Sequence, residues 1–94
     1  MIIKKIKSRI TSKLQPIFLK INDISHDHDN KITNLITHLE IIIVSNIFIK
    51  KSLITRHRII YHIIGNKLNN IHSFSLNTYT LNEWEKKNKI YKNF

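Results

Sequence analysis

One run in this chain of 94 residues constrains how everything else must be arranged. Within "THLEIIIVS", Thr37 to Ser45, four successive β-branched apolar residues, Ile41 to Val44, stand between Glu40 and Ser45. Such side chains are stiff at χ1 and favour a pleated backbone. The run is far short of the ~20 apolar residues that cross a bilayer. It reads as a strand covered on much of both faces, and such a strand belongs at the centre of a sheet. The flanking sequence must supply its neighbours and the helices that cover it.

The flanks do so by switching period. Ile2, Ile6, Ile10 and Leu14 recur every four residues, with Lys4, Lys5, Lys7, Ser8 and Arg9 between them. This predicts an amphipathic helix with a basic outer face, ended by Pro16. That face is either simply solvated or a contact for nucleic acid or membrane. In "IFLKINDIS", Ile17 to Ser25, Leu19 and Ile21 alternate with Lys20 and Asn22, as in a half-buried strand. With the central strand it makes a hairpin whose long polar tip begins at His26.

After Ser52, a good N-cap, Leu53, His57, Ile60, Ile64 and Leu68 form an apolar stripe with Tyr61 beside it. Thr55, Arg58, His62 and Asn66 turn mostly outward. Gly65 costs ~1 kcal/mol inside a helix and marks a break between two shorter helices. "IHSFSLNTYT", Ile71 to Thr80, returns to period two, with His72, Phe74 and Leu76 on one face. Thr80 and Glu83 have the spacing of a capping box, opening a short helix with Trp84 inward. The tail after it, "KKNKIYKNF", is expected to fray.

The predicted order is α-β-β-α(α)-β-α. The helical connection of about 25 residues before the third strand is long enough for a parallel crossover. The expected fold class is α+β, a three-stranded mixed sheet packed with helices, in a single domain over 1–94 with its core in about 1–86. At this size folding buries roughly 60–65% of the unfolded chain's surface, leaving little room for a deep enclosed active site.

Formal charge is +10, from sixteen Lys and Arg against six Asp and Glu. Nucleic acid or another anionic surface is one explanation. The other is codon bias: Ile, Lys and Asn, all with A/T-rich codons, make up nearly half the chain. There is no cysteine, hence neither disulfide nor thiolate. "MIIKKIKSRI" lacks the apolar core of roughly 7–15 residues that marks a signal peptide, so a soluble, cytoplasmic protein is expected. One glycine cannot build a phosphate-cradling or dinucleotide-binding loop, and no nucleophile motif stands in their place. An enzyme is not expected. Six histidines remain as reactive groups. "SHDHDN", Ser25 to Asn30, places two imidazoles and two carboxylates within four residues, a weak metal-binding signal that a solvated loop explains equally.

The segment "THLEIIIVSNIFIKKSLITRHRIIYHIIGNKL" and then "IHSFSLNTYTLNEW" resembles the BolA family. Thr37-His38, Val44-Ser45, Phe48, Ser52-Leu53, Arg56-His57-Arg58, Tyr61, Ile71-His72, Ser75-Leu76, Thr80 and Glu83-Trp84 carry the likeness, which extends over about 1–86. It implies a type II KH-like fold and two functions. In one, the protein pairs with a monothiol glutaredoxin and shares a [2Fe–2S] cluster. The family's ligand histidine falls on His72, and its second ligand, in the loop between the first two strands, on His28. In the other, the protein is a DNA-binding transcriptional regulator of morphology and stress response, with Lys50, Lys51, Arg56 and Arg58 on phosphates. A chain without cysteine fits the first role, because it can donate imidazoles while a partner supplies thiolates. Alone, it is expected to be a monomer or weak homodimer without a bound cluster. Two departures stand out: Lys50 replaces a glycine usual after Phe48, and the loop from Asp29 to Ile36 lacks the usual Gly and Pro.

Overall fold

The computed structural model describes residues 2–24, 38–65 and 73–92. Helix α1 (Ile2–Leu14) is followed by strands β1 (Phe18–Asp23) and β2 (His38–Val44). A 3-10 turn (Asn46–Phe48) leads to α2 (Leu53–Ile64), then β3 (Ser73–Tyr79) and α3 (Leu81–Lys92). The sheet order is β1-β2-β3. β1 lies antiparallel to β2, and β3 parallel to it, so the sheet is mixed and the Ile-rich strand is central.

The register divides the sheet into two unlike faces. Leu39, Ile41 and Ile43 of β2 are fully buried, level with Leu19 and Ile21 of β1 and with Phe74, Leu76 and Thr78 of β3. On this face Ile6, Ile10 and Leu14 of α1 and Ile60, Ile63 and Ile64 of α2 close the core with Phe48. Arg9 ties the two helices, its Nε donating to the Ile63 carbonyl at 2.9 Å. A cation there also complements the carbonyl end of α2.

The other face differs from the sequence expectation. His38, Glu40 and Ile42 are only half-buried, so β2 is fully covered on one face alone. Only Val44 is buried on the open side, where Trp84 of α3 stacks on Phe18 with ring centroids 5.3 Å apart and touches Tyr79 at the same separation. Phe18, Val44 and Tyr79 are register partners across the three strands, so the Trp84 indole caps that end of the open face.

Two further expectations are corrected. The buried stripe of α2 is Arg56, Ile60, Ile63 and Ile64, while Leu53 is 61% exposed. Arg56 is held inward by acceptors outside the helix, which rotates Leu53 to the rim. Gly65 is the C-cap of α2, at φ 59° and ψ −136° with its N–H bonded to the Tyr61 carbonyl, and the second short helix expected after it lies outside the described residues. That conformation is essentially restricted to glycine, so the helix breaks at this residue as expected. Finally, α3 is not short: it continues through most of the expected tail to Lys92. The break at Pro16 is as expected, with α1 ending at Leu14 and Gln15 at φ 45°.

Candidate functional site

Two regions answer to the sequence candidates. The first is the basic turn leading into α2. Phe48 is fully buried and anchors it. Ser45, also buried, ties the turn to α1: its Oγ donates to the Leu14 carbonyl at 3.0 Å and accepts from Ile47 N at 3.2 Å. Ser52 caps α2 by accepting from Thr55 N at 3.2 Å. Between them Lys50 sits at φ 62°. This left-handed conformation explains the glycine expected there, since a Cβ costs roughly 1–2 kcal/mol in it.

Arg56 has a different role from the one its charge predicts. Its Nε donates to the Lys51 carbonyl at 2.9 Å and Nη1 to the Thr78 carbonyl at 3.3 Å. Nη1 and Nη2 reach the two carboxylate oxygens of Glu83 at 2.7 and 3.2 Å, a bidentate pair. The guanidinium lies 5.7 Å from the Phe48 ring centroid, with 7% of its side chain exposed. It ties α2, β3 and α3 together and is withdrawn from any phosphate-contacting surface. Lys50 and Arg58 are exposed and Lys51 half-buried, so these three carry the remaining basic face.

Glu83 serves two partners at once. The capping box forms as predicted: Thr80 N donates to Glu83 Oε1 at 2.8 Å, and Glu83 N donates to Thr80 Oγ1 at 3.2 Å. Hydrogen bonds from Arg56, then the Thr80 amide, pull the carboxyl pKa from 4.5 to about 2, against a smaller desolvation effect. The capping box was readable from spacing; the ion pair was not. One signal was present: Arg56, Ile60 and Ile64 are four residues apart, which places the arginine on the buried stripe.

The second region is the end of the sheet opposite the Trp84 cap. Ile24 N donates to the His38 carbonyl at 3.0 Å, and His38 is the register partner of Ser73. The chain therefore leaves β1, enters β2 and enters β3 at the same end. His28 and His72, the two candidate ligands, lie outside the described residues, as does His26. His38 is half-buried at this end, His57 half-buried on α2, and His62 exposed. Among the described residues no three His, Asp or Glu side chains gather as a metal site, and no helix is long and apolar enough to cross a membrane.

Among the described residues, the fold and the basic turn into α2 define an α+β domain of one type: a mixed three-stranded sheet with two helices on one face and a third capping the other. The family model for BolA-like proteins matches residues 10–83. A protein of Buchnera aphidicola is 46% identical over 88 residues, spanning 93% of this chain and 84% of that one. The DNA-binding transcriptional regulator BolA of Escherichia coli is 34% identical over 86 residues, spanning 90% and 81%. The solved structure of BolA1 from Arabidopsis thaliana superposes with a TM-score of 0.74 at 26% identity, covering 88% of this chain and 95% of that one. The chain belongs to the BolA family.

Proposed function

We propose that this protein is a non-enzymatic partner in [2Fe–2S] cluster handling, donating histidine ligands to a cluster whose remaining ligands are thiolates of a monothiol glutaredoxin. One observation supports this above others: the convergence of Ile24, His38 and Ser73 at one end of the sheet. His72 is one peptide from Ser73, a Cα step of about 3.8 Å. His28 follows Ile24 by four residues, a maximum reach of about 14 Å. Both candidates are therefore tethered to the same end of a rigid sheet.

The donor chemistry fits half a cluster. A chain with no cysteine offers imidazole and carboxylate only, and imidazole in place of thiolate makes a [2Fe–2S] centre less negative and raises its potential. His72 and His28 would hold the cluster from this side; the cluster supplies one-electron chemistry when bound. Adding the protein to a cluster-loaded monothiol glutaredoxin should change the visible circular dichroism at one equivalent, and His72→Ala should abolish the change. An identical spectrum and affinity for His72→Ala would sink the ligand assignment.

A second reading is favoured by the E. coli relative, named as a DNA-binding transcriptional regulator, and by the exposed Lys50 and Arg58 with Lys51 beside them. Three phosphate contacts would give a salt slope of about −3 in log K against log[salt]. Binding without sequence preference that disappears at physiological salt would reduce this reading to general attraction by a chain of charge +10.

A further inference from the structure

The strand order leaves β3 at an edge of the sheet, paired with β2 on one side and with no strand among the described residues on the other. Natural edge strands are guarded by charge, proline or a bulge. β3, "SFSLNTY", contains no charged residue and no proline. The Tyr79 carbonyl accepts from Ser45 N on the β2 side. Backbone groups alternate along a strand, so those of Phe74, Leu76 and Thr78 point to the outer edge. The Thr78 carbonyl is already taken by Arg56, which leaves Phe74 and Leu76 as the pairing positions.

A groove runs beside this edge. Leu53 and His57 of α2 line it together with Leu76 to Tyr79. Tyr61, one further turn along α2, meets Phe74 edge-on at 5.3 Å. Leu53, Ile54 and Tyr61 are 61%, 64% and 50% exposed, an apolar wall where a helix normally shows its polar side.

Charge selects the occupant. Neither α2 nor β3 contains an acidic residue, while Lys51, Arg58 and His62 lie along the same helix and its entry. A second copy, pairing edge to edge about a twofold axis, would bring these like-charged helices together. Nucleic acid would meet only one aromatic ring, Tyr61, on this wall, and would leave the strand-type backbone positions without matching partners.

We propose that the β3 edge and the exposed wall of α2 form a docking groove for an extended acidic segment of a partner protein. The segment adds as a fourth strand at Phe74 and Leu76 and sets alternate apolar side chains against Leu53 and Tyr61, while its carboxylates, on the opposite side of the strand, meet the general positive field of a chain of charge +10. This mode takes affinity from main-chain hydrogen bonds and selectivity from alternate side chains.

The test uses a short synthetic peptide of alternating valine and glutamate, a block-sequence peptide of the same composition, and a thymidine oligonucleotide of matched charge. The alternating peptide should bind, slow amide exchange at Phe74 and Leu76, and lose about tenfold in affinity with Leu53→Glu. That variant changes an exposed side chain, and unchanged thermal unfolding would confirm its fold. Equal binding of the block peptide, no protection at Phe74 and Leu76, self-association through this edge without peptide, or displacement of the peptide by the oligonucleotide would each overturn the proposal. Phe74 lies two residues from His72, so the peptide measurement is made without cluster or glutaredoxin, and its failure leaves the cluster reading to be judged by its own spectra.

Discussion

Replacing Glu83 by glutamine isolates the charge of the Arg56 pair while keeping the shape and capping ability of the side chain, since Gln also completes a capping box. The substitution leaves a guanidinium with 7% of its side chain exposed facing an amide instead of two carboxylate oxygens. The carboxyl depression from 4.5 to about 2 sets a ceiling of about 3 kcal/mol. Glu83 itself is 47% exposed, so solvent screening lowers the expected loss to about 2 kcal/mol. The two carbonyls bound to Arg56 remain, which keeps the loss below the larger cost of a wholly uncompensated buried charge. For a domain of this size about 2 kcal/mol lowers Tm by roughly 10 °C. Glu83 has a depressed pKa in the folded state, so its contribution is fully present above pH 4.5 and lost as pH falls through about 2. Thermal unfolding of wild type and Glu83→Gln should therefore differ most at neutral pH and converge toward pH 2. A double-mutant cycle with Arg56→Met should show coupling above about 1 kcal/mol. A Tm unchanged by Glu83→Gln, or a difference that persists undiminished at pH 2, would refute the reasoning.

Other substitutions probe the same framework. Lys50→Gly removes roughly 1–2 kcal/mol of left-handed strain but adds unfolded-state freedom of about 0.4–1 kcal/mol, so urea unfolding should show a net gain of about 0.5–1 kcal/mol. Ser45→Ala removes a buried hydrogen bond to the α1 end and a part-buried one that caps the 3-10 turn, and should cost about 1–2 kcal/mol in the same assay. On the DNA side, Arg58→Ala should reduce the salt slope by about 1 and weaken all sequences alike.

Most of the architecture was legible because its signals are local. The period-four stripe of α1, the Ile-rich β2, the period-two β3 and the Thr80–Glu83 box each act within a few residues. What escaped depends on partners far along the chain. Arg56 looked like a surface cation because its carboxylate lies 27 residues on, in a helix whose docking no spacing reveals. Leu53 looked like core because its spacing to His57 and Ile60 suits a stripe. The neighbouring stripe from Arg56 through Ile60 to Ile64 suits it equally, and the contacts of Arg56 decide between them. The half-exposed face of β2 was hidden for a related reason. Ile42 resembles Ile41 and Ile43 in sequence, and only the placement of α1 and α2 on one side separates them. At the candidate ligand end, the alignment of Ile24, His38 and Ser73 follows from hairpin and crossover connections that the strand order already implied.

Cluster sharing through histidine is tested most directly by pulsed electron paramagnetic resonance on the reduced [2Fe–2S] complex of this protein with a monothiol glutaredoxin. Imidazole ligation by His72 and His28 predicts hyperfine coupling from two directly bound ¹⁴N nuclei, reduced to one in His72→Ala. A wild-type complex showing sulfur-only coordination, or the same nitrogen coupling after His72→Ala, would contradict it.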